Sequence, residues 1–142
     1  MKPSKQKWLD RPAESDFAAA GRFLSLLVGT QRSQTLADAF THAQVVSHKA
    51  NDLLRASRLP LLPVDDPEVR KDLKRVQKGE KLSPVLLVYG DLDSSRALTV
   101  ADGYHRICAS YHLDEDDDIP CVIAENSIRE RPDKSTVMAS TT

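Results

Sequence analysis

The chain has 142 residues, 40% of them hydrophobic, 29% charged and only 5% aromatic, a composition that fits one globular domain packed by aliphatic side chains and excludes a disordered chain or two large cores. A formal net charge of -1 argues against a dedicated nucleic-acid binder, whose basic footprint shows in the total or as a dense stripe; basic residues do exceed acidic ones over residues 1–82, and the reverse holds over 83–142. No apolar run nears the ~20 residues that span a bilayer, and the opening "MKPSKQKWLDRP" lacks the apolar segment of a signal peptide, so a cytoplasmic protein without a membrane partner is expected.

In the polar opening segment, Trp8 either docks as a staple or stays loose. "ESDFAAAGRFLSLLVG" then places Phe17, Ala20, Leu24 and Leu27 at helical spacing, with Ser15 or Asp16 as N-cap and Gly29 as the stop. A second helical run is expected over about Ser33 to Ser57, with a break near His48, and the two helices are expected to form an N-terminal hairpin. Pro60, Pro63 and Pro67 favour extended chain. Asp66 before Pro67 reads as an N-cap with proline at the first helical position, so "DPEVRKDLKRVQKG" predicts a helix with Val69, Leu73 and Val76 inward. Arg70, Lys71, Lys74, Arg75 and Lys78 are its wet face. "SPVLLVYGD", a turn over "GDLDSS" and "RALTVA" predict a hairpin. A helix from Gly103 or Tyr104, the acidic run "DEDDD" as a solvated loop, a last strand "IPCVIAE" and a polar, loose tail complete the chain. Cys108 and Cys121 lack metal-ligand spacing and are expected as reduced, packed thiols. His42, His48 and His112 carry no motif.

The stretch with chemistry in it is Thr99 to Tyr111, "TVADGYHRICASY". A strand ending at Val100 and Ala101, then Asp102, Gly103 and a helix, presents free backbone N–H groups and the positive end of a helix dipole, a place where anions bind. Gly103 admits a backbone conformation or a ligand approach that a side chain forbids. His105 and Arg106 put cationic donors in the first turn, which is unfavourable unless an anion or carboxylate accompanies them. Two readings stay open. Either a ligand's phosphate is that anion, or Arg106 pairs with Asp102 or the acidic run, His105 is a surface residue and Asp102 is an N-cap.

Preceded by "KGEKLSPVLLV" and followed by "IPCVIAE", the segment "LTVADGYHRICASY" resembles the ParB/sulfiredoxin-like superfamily, in which a helix, a "G…PV.V" strand, a hairpin and a "DGxHR" helix start recur in this order. The likeness covers about Leu53 to Glu125. It implies an α+β fold with a ParB/sulfiredoxin-like core of small mixed sheet and packed helices at 53–126, an N-terminal helical extension at 1–52 and a flexible tail at 127–142. It also implies nucleotide phosphates at the helix start, as with CTP in chromosome-partition ParB proteins and ATP in sulfiredoxins and the related free serine kinases. By position, Gly103 then approaches the phosphates, His105 and Arg106 bind them beside Tyr104, and Asp102 holds magnesium or acts as a base. Glu68 is a second candidate base, and Ser57 and Arg58 fall where family members place another wall of the pocket.

The chain also departs from the family. Tyr104 stands where sulfiredoxins have their catalytic cysteine, so sulfinic-acid reduction is not expected, and there is no room after the core for the helix-turn-helix domain of partition proteins. The first function expected is therefore a small nucleotide-phosphate-binding protein using magnesium with ATP or CTP, with phosphoryl transfer or nucleotide hydrolysis left open. The second is a non-catalytic regulatory or interaction module, its N-terminal helices forming a homodimer or partner interface. The third, a DNA-binding or nuclease module, is disfavoured by the charge balance and by the lack of a carboxylate and histidine cluster.

Overall fold

The computed structural model describes residues 6–125; the expected tail at 127–142 lies outside them. Chain order begins with β1 (Lys7–Trp8), α1 (Glu14–His42), β2 (Val45–Lys49), α2 (Ala50–Ser57) and α3 (Pro67–Gln77). It continues with β3 (Lys81–Leu82), β4 (Val85–Val88), β5 (Thr99–Asp102), α4 (Tyr104–Leu113) and β6 (Asp118–Ala124). The fold is α+β; the described residues form four helices, a four-stranded mixed sheet in the order β2-β6-β4-β5 and a two-stranded parallel pair, β1-β3.

α1 is two helical arms joined at Gly29, whose φ of 85° and ψ of 166° are not helical. Ala18, Gly21 and Ser25 of the first arm line one cleft with Thr30, Gln34 and Ala37 of the second. In a continuous helix Ala18 and Ala37 stand about 28 Å apart, so the arms fold back on each other. The expected helical hairpin therefore exists, but its second helix ends at His42 and not near Ser57. Residues 45–49 leave the helix to pair antiparallel with β6, Val45 opposite Val122 and Lys49 opposite Asp118. The β-branched pair Val45-Val46 tolerates this, and sheet pairing overrides the weak helical period. The N-cap of α1 is Ala13, without a side-chain cap, so neither Ser15 nor Asp16 serves there.

The middle of the chain follows its local signals. The Asp66 carboxylate accepts from the N–H groups of Glu68 and Val69 at 3.0 and 3.1 Å, capping α3. Arg70, Lys71, Lys74, Arg75 and Lys78 are exposed. β4 and β5 form the expected antiparallel hairpin. In the acidic loop, Asp114, Glu115 and Asp116 are exposed, and the loop caps α2, because the N–H groups of Ala50 and Asn51 donate to the carbonyls of Asp117 and Glu115. Trp8 docks, with β1 pairing to β3 and the indole packed against the core.

Helices cover both faces of the sheet. Alternate residues of the strands face opposite ways: Leu86, Val88, Ala101, Val122 and Ala124 meet Ala20, Leu24, Leu36 and Phe40 of α1. Val85, Leu87, Ile119 and Cys121 meet α2, α3 and α4 through Leu53, Val69 and Ile107. This explains why "VLLV" is an unbroken apolar run, buried on both sides. α1 and β2, both within residues 1–52, thus share this sheet with the strands of 53–126. Cys108 and Cys121 are buried free thiols; burial raises the pKa of both, that of Cys121 to about 12. Among the described residues no helix is long and apolar enough to cross a membrane.

Candidate functional site

The site is built where β5 becomes α4. Asp102 lies opposite Leu86 and Val100 opposite Leu87, so Ala101 is the extra residue of a β-bulge just before the helix. Gly103 follows at a φ of 112° and is the N-cap of α4. A Cβ there would fall 2.5 Å from Cγ1 of Val85, so the glycine is required by backbone conformation and by close packing on β4. The first intrahelical bond is from the Ile107 N–H to the Gly103 carbonyl, at 3.0 Å. The helix start has no side-chain cap and no acidic residue in its first turn. The N–H groups of Tyr104, His105 and Arg106 therefore sit ahead of the helical ladder at the positive end of the dipole.

Arg106 is the centre of the charge arrangement. One terminal nitrogen of its guanidinium donates to Asp102 at 2.8 Å, and the other lies 3.5 Å from Asp16 of α1. All three side chains are at most one-fifth exposed. The longer contact is attractive but lacks hydrogen-bond geometry: Oδ2 of Asp16 and Nε of Arg106 are buried with no hydrogen-bond partner. Burial pushes the Asp102 carboxyl above its ordinary value, Arg106 pulls it down, and the neighbouring Asp16 carboxylate pushes it up again. Two carboxylates thus share one guanidinium, leaving a local deficit of positive charge.

The surroundings come from α3 and the proline-rich segment. Asp72 is buried and pairs with Arg75 at 2.8 Å. α3 packs against α4; desolvation raises the Asp72 carboxyl pKa, and the charges of Arg75 and Arg106 lower it. The Tyr104 hydroxyl donates to the Pro60 carbonyl, and desolvation is the chief cause that raises its pKa. The His105 ring lies against that of Tyr104, centroids 5.5 Å apart.

Asp102, Gly103, Tyr104, His105 and Arg106 therefore come together, as their adjacency requires. The other candidates have other partners: the Ser57 hydroxyl donates to the Leu54 carbonyl within its own helix, Arg58 donates to the Ser95 carbonyl, and Glu68 pairs with Lys71 at 3.5 Å. Sequence reasoning missed Asp16 and Asp72. The signal for Asp16 was indirect: a cation in the first turn of a helix demands an acidic companion, and the companion lies far upstream. Among the described residues, no group of three or more His, Cys, Asp or Glu gathers to hold a metal.

Comparisons with protein-family models, with curated proteins and with solved structures give no match to this chain.

Proposed function

We propose that the start of α4 binds the phosphates of a nucleotide together with magnesium. The observation carrying this reading is an uncapped helix start, free of acidic residues in its first turn, set on a buried carboxylate–guanidinium cluster in which Asp16 and Arg106 keep unpartnered polar atoms. The N–H groups of residues 104–106 receive phosphate oxygens, and His105 adds a donor from the rim. Because Asp16 and Asp102 outnumber Arg106, a bare polyphosphate meets net negative charge. Magnesium reverses this. It is commonly held by one or two carboxylates plus phosphate oxygens, and Asp102 with the unpartnered oxygen of Asp16 supplies that donor set. The ion would neutralise phosphate charge; the chain's own groups bind and orient. A transfer or hydrolysis reaction adds a base; Asp102 takes that role only where Asp16 alone holds the ion.

Calorimetric titration with ATP, CTP and GTP, with and without magnesium, tests the reading on the wild type and on His105→Ala. Micromolar binding of one nucleotide that requires magnesium and weakens at least tenfold in the variant supports it. Absence of binding to folded protein refutes it.

A second reading is favoured by one observation: Arg106 is already engaged by carboxylates of its own chain, from β5 and from α1. In that case the motif is a staple that fixes α1 on the sheet, and the function lies with α1, whose first arm exposes Phe23, Leu26 and Leu27. A patch of this kind suits association with a second copy of the chain. Sedimentation equilibrium of the wild type against Leu26→Asp distinguishes it: a dimer that becomes a monomer without loss of fold supports the interaction module, and a wild-type monomer excludes self-association.

A further inference from the structure

A cavity of about 470 Å³ opens between α2 and the β4–β5 hairpin, at the opposite end of that hairpin from the α4 start. The register fixes the separation: Val88 lies opposite Thr99, and Leu86 lies opposite Asp102. The cavity's inner wall is apolar, made by Leu53, Leu87, Leu98 and Ile123, and its volume is in the range of small-molecule sites. The rim carries Arg55, Arg58 and Arg96 against Asp52 and Asp91.

The carboxylates are already committed. Asp52 pairs with Arg55 at 3.1 Å. Asp91 accepts from the Asp93 N–H and the Ser94 hydroxyl, each at 3.1 Å, inside the hairpin turn. Among the described residues no carboxylate pairs with Arg58 or Arg96. The rim thus carries two arginines with no carboxylate partner, beside an apolar wall. Two tight turns meet there: Arg58, at a φ of 60°, is the left-handed C-cap of α2, Ser95, also at 60°, lies in the hairpin turn, and the Arg58 guanidinium donates to the Ser95 carbonyl at 3.1 Å. The Leu98 N–H donates to the Ala56 carbonyl at 3.1 Å, tying the hairpin to α2 and holding the cavity's walls together.

We infer that this cavity is a binding site for a small organic anion, whose apolar body rests on Leu53, Leu87, Leu98 and Ile123 and whose carboxylate or phosphate group meets Arg58 and Arg96. The site is independent of the nucleotide reading.

The test uses the fluorescent probe 1-anilinonaphthalene-8-sulfonate on the folded wild-type chain, with displacement by hexanoate, hexyl phosphate and hexanol. One saturable site is expected, displaced by one or both anions at least tenfold better than by hexanol; the better anion identifies the head group. Arg96→Glu, which reverses the rim charge, and Ala56→Trp, which fills the cavity from α2, are each expected to weaken probe binding at least tenfold while thermal melting stays cooperative. His105→Ala is expected to leave probe binding unchanged, which separates this site from the α4 start. Lack of a saturable site, equal displacement by hexanol, or unchanged binding in both cavity variants overturns the inference.

Discussion

Arg106 illustrates how burial decides the weight of an ion pair. The Arg55–Asp52 pair is more than half exposed on both sides, and pairs of that kind contribute about 0–1 kcal/mol. Arg106 is 14% exposed and faces two carboxylates. Removing one partner of a buried pair costs roughly 3–5 kcal/mol, because the charge left behind is unsolvated. Arg106→Ala is therefore expected to lower unfolding stability by about 3 kcal/mol in urea titration, whether or not the site binds a ligand. A loss below about 1 kcal/mol would contradict the cluster. For this reason His105→Ala, not Arg106→Ala, is the variant for binding studies. The same burial gives a pH signature. The folded-state pKa of Asp102 is raised above the ordinary 3.8, chiefly by desolvation. In the window between 3.8 and that raised value, the folded state keeps a proton that the unfolded chain has released. This group's contribution to stability is thus complete below 3.8 and is lost as pH rises through the folded value. Relative to Asp102→Asn, the wild type is expected to gain stability as pH falls from neutral toward 3.8, measured by denaturant titration at each pH.

The elements differ in how much their local sequence decides. α3 is written in its own residues: Asp66 caps it, Pro67 opens it, and Val69 and Val76 turn inward. Asp66→Ala is expected to cost about 1 kcal/mol, the usual value of a lost N-cap, read from the denaturation midpoint at unchanged slope; no change would mean the cap is idle. β4, β5, α4 and β6 were legible for the same reason, since β-branched and aliphatic runs, turn residues and a glycine mark their limits. β2 was not. Val46, Ala50, Leu53 and Leu54 keep a helical spacing through the join, and only antiparallel pairing with β6 makes residues 45–49 a strand. No local pattern encodes a partner seventy residues away. The fold-back of α1 was half legible. Gly29 marks the end of the first arm in its own sequence, but the second arm's end at His42 depends on the strand that follows it.

Over the whole molecule, α1 on one side of the sheet and α2, α3 and α4 on the other hold the start of α4 at a place where three elements bring charge together: Asp16 from α1, Asp102 from β5 and Asp72 from α3. The contiguous part of the site, Asp102 to Arg106, could be read from "ADGYHR" because its chemistry is local. Asp16 and Asp72 could not, because their roles exist only once the layers are assembled. The proposed nucleotide site rests on that short motif, so binding at the motif is the claim that matters most. The most direct test is a two-dimensional NMR titration of the ¹⁵N-labelled protein with ATP, CTP and GTP in the presence of magnesium, following the amides of Tyr104, His105 and Arg106. One nucleotide is expected to shift these three amides together and saturably, with no such shift when magnesium is omitted. Unmoved amides at 104–106 with every nucleotide, or shifts confined to the cavity around Leu53, Tyr89 and Arg96, would contradict the proposed site.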